Sequence, residues 1–136
     1  MSDTHESIPL RVLIVDDEQP ARERLQRLIA EIGHYELIGQ AENATTALQL
    51  CQQLQPDVVL LDVRMPGMSG IEVAQHLNLL DEPPAVIFTT AYEEYAVDAF
   101  EAEAIGYLLK PIRKEKMERA LQHAVRLSTH RLQQLS

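Results

Sequence analysis

The stretch Val58–Gly70, VVLLDVRMPGMSG, decides the fold. Four apolar residues run into a single acid, Asp62, and the chain then turns through Pro66, Gly67 and Gly70. A continuous apolar run, rather than strict alternation, is the pattern of a strand buried on both faces of a parallel sheet. A carboxylate at the end of such a strand, followed by a Pro- and Gly-containing loop, is a polar group presented at the edge of a rigid scaffold. Ser69 with Glu72 three residues on reads as a capping box, so a helix follows the loop.

The same pairing of apolar run and helical segment recurs on both sides. Strands are expected at RVLIV (11–15), YELIGQA (35–41), DVVLL (57–61), AVIFTT (85–90) and IGYLL (105–109). Helical stripes lie between them: Leu25, Leu28, Ile29 and Ile32; Ala47, Leu48, Leu50, Cys51 and Leu54; Ile71, Val73, Ala74 and Leu77. Pro20 suits a first helical turn and Asn43 a helix cap. A fourth helix is expected near Tyr92 to Ala102, with Glu93 and Glu94 in its first turn, and a fifth after Pro111, with an ill-defined start near Arg113. Repeated strand–helix units joined by right-handed crossovers predict an α/β domain. The expected form is a doubly wound five-stranded parallel sheet in the order 2-1-3-4-5.

Composition narrows the function. The chain has 136 residues, enough for one domain with a sizeable core. Residues 1–10 are expected as an N-terminal extension, 11–127 as the domain, and 128–136 as a helix extension or the start of a linker. A net charge of −9 weighs against direct nucleic-acid binding by this segment, which relies on basic groups. No apolar run reaches the roughly 18 residues that span a bilayer, and the polar, acidic MSDTHESIPL is no signal peptide. A membrane is therefore not expected as a partner, and the expected location is cytoplasmic. The single cysteine, Cys51, excludes an internal disulfide and reads as a small apolar residue on a helix face.

Polar residues sort by strand. Asp16 and Asp17 follow the first, Asp62 the third, Thr89 and Thr90 end the fourth, and Lys110 follows the fifth. In a parallel sheet all of these lie on the carboxyl edge, where open α/β sheets bind ligands at the point where the winding reverses. Clustered carboxylates repel one another, and a hard divalent cation relieves them; oxygen ligands with room for waters suit Mg²⁺. Acid, metal, hydroxyl and lysine are the parts that phosphoryl transfer needs, with Asp62 as nucleophile. Taken singly, each is an ordinary turn or helix-start residue; four strands ending in complementary chemistry are not.

With VDDE at 15–18, LLDVRMPGMSG at 60–70, TTA at 89–91 and YLLKPI at 107–112, the chain resembles the receiver domain of bacterial two-component response regulators, a flavodoxin-like fold, from Val12 to about Leu127. DDEQPARERL and TAYEEYAVDAFEAEAIGYLLKPI are similar in particular to the AlgR/LytR group, whose members usually carry a C-terminal LytTR DNA-binding domain. The resemblance implies a phosphoacceptor at Asp62, a direct Mg²⁺ ligand at Asp17, an acid acting through metal-bound water at Asp16, and a backbone-carbonyl ligand at Arg64. It implies a switch hydroxyl at Thr90, a phosphate-binding lysine at Lys110 with a commonly cis bond to Pro111, and an aromatic switch at Tyr107. Side chains at Arg64 and Tyr92 are expected to tune hydrolysis. The implied partner is a sensor histidine kinase, with DNA reached only through a domain absent from this chain.

Two further classes call for residues that this chain does not place at the required positions. An aspartate-nucleophile phosphatase wants a second acid two residues after the nucleophile, and Arg64 stands there. A flavin-binding module of the same topology wants a Ser-, Thr- and Gly-rich loop after the first strand, and DDE stands there. The expectation is thus a signalling domain that assists its own phosphorylation and dephosphorylation, not an enzyme. A stand-alone receiver acting by protein–protein contact is the alternative. Acids around the fourth helix, with Arg113, Lys114, Lys116, Arg119 and Arg126 after it, suggest a phosphorylation-dependent homodimer as well as a merely solvated surface.

Overall fold

The computed structural model describes the backbone of residues 9–135, with side chains to 128. The element order is β1 (Leu10–Val15), α1 (Gln19–Ile32), β2 (Tyr35–Ala41), α2 (Ala44–Leu54), β3 (Val58–Asp62), α3 (Gly70–Leu77), β4 (Ala85–Thr90), α4 (Ala96–Glu101), β5 (Gly106–Leu109) and α5 (Lys114–Leu135). A single 3₁₀ turn, Glu93–Tyr95, precedes α4. All strands are parallel and ordered β2-β1-β3-β4-β5, the doubly wound sheet that the apolar runs predict.

Period-two alternation divides the core into two layers. Leu13, Val15, Val59, Leu61, Val86 and Phe88 face α2, α3 and α4, where they meet Ala47, Cys51, Val73, Leu77 and Ala99. Val12, Ile14, Val58, Leu60, Ile87 and Leu108 face α1 and α5, where they meet Leu25, Ile29, Met117 and Leu121. Each fully buried aliphatic side chain contributes roughly 1.5–3 kcal/mol of transfer free energy, so both layers are needed to offset chain entropy. This is why the strands read as unbroken apolar runs.

Helix starts follow their caps. Asn43 Oδ1 accepts from the Thr46 N–H at 2.8 Å, and Ser69 and Glu72 form the reciprocal capping box at 3.3 and 3.0 Å. Pro20 lies in the first turn of α1. α5 starts at Lys114 with no capping serine, close to the Arg113 start expected.

Boundaries of four elements differ from the sequence reading, the simplest being β5, which opens at Gly106 rather than one residue earlier. The first strand opens at Leu10, inside the expected N-terminal extension, the rest of which lies mostly outside the described residues. β3 takes in Asp62 because Asp62 pairs with Thr89 and the Val63 N–H reaches the Thr89 carbonyl at 3.1 Å. The fourth helix is shorter than Tyr92–Ala102: Tyr92 offers no side-chain cap to the turn, and Asn78 Nδ2 takes the Ala102 carbonyl at 2.8 Å. Among the described residues no helix is long and apolar enough to cross a membrane.

Candidate functional site

The carboxyl ends of β1 and β3 deliver three acids to one place. Asp16, Asp17 and Asp62 have carboxylate oxygens within 4.8 Å of one another. Asp16 is fully buried and Asp62 only 5% exposed, while Asp17 is half-buried. The Asp16 backbone is fixed from both sides: its N–H donates to the Ala41 carbonyl at 3.1 Å, and its own carbonyl accepts from Arg22 Nη1 at 2.7 Å. Asp16 Oδ1 accepts from the Glu18 N–H at 2.9 Å, which leaves Oδ2 facing the cluster.

Lys110, just past β5, supplies the one ammonium that contacts these acids among the described residues. Its Nζ lies 2.9 Å from Asp16 Oδ2 and 3.5 Å from Asp62 Oδ1. Burial lowers its proton affinity, but the hydrogen bond to Asp16 and the nearby Asp62 and Asp16 charges outweigh burial and hold it above the ordinary lysine value. The Lys110 N–H donates to the Thr90 carbonyl at 2.7 Å, and the Lys110–Pro111 peptide is cis.

The acids remain unsettled in spite of the lysine. Burial first, then the Asp16 charge, pushes Asp62 up to about 7 against the lowering effect of Lys110; a hydrogen bond with Asp17 and its charge add to the rise. Positive charge brought to these oxygens would favour the ionised carboxylate again. Oxygen donors alone, with neither His nor Cys among them, match a hard cation such as Mg²⁺ better than zinc.

The loop after Asp62 is shaped by two glycines. Gly67 has φ of +78°, a conformation that favours glycine. Gly70 starts α3 hard against β3, donating its N–H to the Val63 carbonyl at 2.8 Å. A Cβ there would stand 2.0 Å from the Asp62 carbonyl oxygen. The Arg64 side chain leaves the acids and lays its guanidinium over the Tyr92 ring, 4.6 Å from the centroid.

On the other side, Thr90 is buried and its Oγ1 accepts from the Tyr92 N–H at 3.2 Å. The Tyr107 hydroxyl donates to the Tyr92 carbonyl. Tyr92 also meets Tyr95 edge-on, with ring centroids 6.3 Å apart. The residues singled out from sequence therefore form two connected groups. Asp16, Asp17, Asp62 and Lys110 make the charged centre, and Arg64, Thr90, Tyr92 and Tyr107 make a web around Tyr92.

Sequence reasoning did not find three contributors. Gly70 carried a signal only as a loop glycine, whereas its role depends on how closely α3 approaches β3. Arg22 sits six residues after Asp16, and nothing in the spacing says that its guanidinium turns back to the Asp16 carbonyl. The Tyr92 backbone as a common partner of Thr90 and Tyr107 depends on the loop path, which no side-chain pattern records.

A profile of the response regulator receiver domain family matches residues 12–122. The positive alginate biosynthesis regulatory protein of Pseudomonas aeruginosa is 50% identical over 118 residues, covering 86% of this chain and 48% of that protein. The sensory transduction protein LytT of Bacillus cereus is 41% identical over 112 residues, covering 82% of this chain and 46% of that protein. The chain thus spans about half the length of these curated relatives. Among solved structures, the response regulatory domain of protein mrkE from Klebsiella pneumoniae superposes with a TM-score of 0.80 at 32% identity, covering 87% of this chain and 97% of that one.

Proposed function

Because the chain belongs to the response regulator receiver domain family, we propose that it is a phosphorylatable switch whose acceptor is Asp62. The observation that carries this reading is the convergence of the Asp16, Asp17 and Asp62 oxygens within 4.8 Å, with Lys110 Nζ 3.5 Å from Asp62. A carboxylate oxygen of Asp62 attacks the phosphorus of a phosphohistidine on a sensor kinase. The new O–P bond forms as the P–N bond breaks, and the imidazole leaves with the electron pair. The product is an acyl phosphate.

Asp17 and Asp62, with Asp16 through water and the Arg64 carbonyl, would hold Mg²⁺. Bound there, the ion neutralises charge that develops on the transferring group. Lys110 binds a phosphoryl oxygen as a point charge. Thr90 turns its hydroxyl from the Tyr92 N–H to another, and the loop through Tyr92 shifts with it. Tyr107, already joined to the Tyr92 carbonyl, carries that shift to β5. Arg64 and Tyr92, stacked together, hinder the water that would hydrolyse the acyl phosphate.

The chain is a signalling domain rather than a conventional enzyme. We assign output to transcription through a LytTR-type DNA-binding domain of the full-length protein, supported by the likeness to the alginate regulator, whose name states regulation. A stand-alone receiver acting by protein contact is the second reading. A cytoplasmic location accords with this reading.

Intact-mass measurement after incubation with a small acyl phosphate tests the assignment. The wild type gains one phosphoryl group only when Mg²⁺ is present, and Asp62→Asn gains none. A gain that persists in Asp62→Asn places the acceptor elsewhere.

A further inference from the structure

Thr89 holds the one buried side-chain polar atom among the described residues with no hydrogen-bond partner, its Oγ1, and the residue is fully buried. Buried hydroxyls normally have partners, so this one needs a reason. Valine would fill the same space in a strand without the cost of a desolvated hydroxyl.

Its place supplies the reason. Ile87, two residues earlier on β4, belongs to the layer facing α1 and α5, and so by alternation does Thr89. Leu60 puts Asp62 on that face, and the Lys110 ammonium, from just past the end of β5, meets both Asp62 and Asp16, the latter just past the end of β1. Thr89 is the direct register partner of Asp62 on one side and of Leu108 on the other. β4 lies between β5 and β3, so Lys110, two residues past Thr89's partner Leu108, reaches Asp16 and Asp62 across the carboxyl end of β4. Thr89 thus shares a face and a register position with Asp62, whose carboxyl group its hydroxyl does not hydrogen-bond in this arrangement.

We propose that Thr89 is a positioning residue that takes hold of Asp62 when Lys110 lets go of it. In the present arrangement the ammonium faces Asp62 Oδ1 at 3.5 Å, and the threonine hydroxyl has no acceptor. When Lys110 turns to the phosphoryl oxygens, the Asp62 oxygen it leaves accepts from Thr89 Oγ1. The carboxyl group then keeps one orientation through the transfer. This inference rests on the assignment of Asp62 as acceptor, and it concerns a hydroxyl distinct from that of Thr90.

The test compares wild type, Thr89→Val and Thr89→Ser for the Mg²⁺-dependent rate of phosphorylation by a small acyl phosphate, with melting temperature measured alongside. Thr89→Val should lower the rate at saturating donor about tenfold, the scale of one hydrogen bond to a charged group, with the half-saturating donor concentration unchanged. Its melting temperature should equal or exceed that of the wild type, because the hydroxyl it removes is unsatisfied at rest. Thr89→Ser should recover the rate to within about twofold, since it keeps the donor. Equal rates in wild type and Thr89→Val overturn the inference and leave the acceptor assignment standing. A Thr89→Ser protein as slow as Thr89→Val, or a lower melting temperature for Thr89→Val, overturns it in favour of packing. A wild type that takes no phosphoryl group defeats the acceptor assignment, and the inference falls with it.

Discussion

A single hydrogen on Gly70 separates α3 from the backbone of Asp62. A Cβ there would stand 2.0 Å from the Asp62 carbonyl oxygen, and the neighbour is backbone, which has no rotamer to give. Gly70→Ala should therefore cost about 3 kcal/mol or more in denaturant titration and displace the proposed acceptor. An alanine variant as stable as the wild type would mean that α3 moves off freely. Asp62 itself sets a pH dependence. It rises from an ordinary 3.8 to about 7 in the fold, so between those values the folded chain binds a proton that the unfolded chain has released. Stability from this group is full below the lower value and is lost as pH rises through the upper one. Without metal, this group's contribution to the melting temperature should fall from about pH 4 to about pH 7; Mg²⁺ should shrink the fall, and Asp62→Asn should abolish it. A fall of the same size in Asp62→Asn would trace it to another group. Asp16, Asp62 and Lys110 are legible in the sequence because strand ends of a parallel sheet share an edge. The Thr90–Tyr92 bond is not, since it depends on a backbone turn that any of several loop sequences can make.

Among the elements, α4 is the lightly held one. Ala99 and Ala102 are its buried anchors, Val97 is 68% exposed and Phe100 82% exposed. A cavity of about 690 Å³ opens between Arg64, Met65 and Ser69 on one side and Tyr95 and Asp98 on the other. Small anchors beside unfilled space give a segment that can shift without breaking the core, which is what a switch element needs. Its end is tied by Asn78 Nδ2 to the Ala102 carbonyl. Asn78→Ala should cost about 1 kcal/mol and speed amide exchange in residues 96–104 while β3 and β4 keep their protection. Exchange that quickens equally in β3 would show that α4 unfolds only with the whole domain. The other helices were readable because caps and apolar stripes agree, as at Asn43 and at Ser69 with Glu72. Here no buried stripe of large apolar residues forms: Val97 and Phe100 both lie on the surface, and residues 93–95 form a 3₁₀ turn in place of the first turn of the expected helix.

For the molecule as a whole, the unbroken apolar strands visible in the chain imply a buried parallel sheet, and its order, β2-β1-β3-β4-β5, is the doubly wound one expected. The same topology separates two charged surfaces. Glu93, Glu94, Asp98 and Glu101 lie exposed around α4, and Arg113, Lys114, Lys116 and Arg119 lie exposed around the start of α5. We propose that phosphorylation favours a homodimer in which the acidic segment of one copy meets the basic segment of the other. Light scattering on the phosphorylated protein should report a dimer at low ionic strength and a monomer near 1 M salt, where screening extends to about 3 Å. A phosphorylated protein that stays monomeric at low salt removes this pairing.

The web around Tyr92 also makes the chain its own optical reporter. There is no tryptophan, and of four tyrosines only Tyr35 lies away from the web formed by Tyr92, Tyr95 and Tyr107. Near-ultraviolet emission from the unlabelled protein thus arises mostly from rings joined to the loop that Thr90 holds. A change in the Thr90 hydroxyl's partner should register as a change in tyrosine intensity, and Tyr107→Phe should dampen it. The switch can then be timed with light alone, with no dye attached to the surface that a partner must meet.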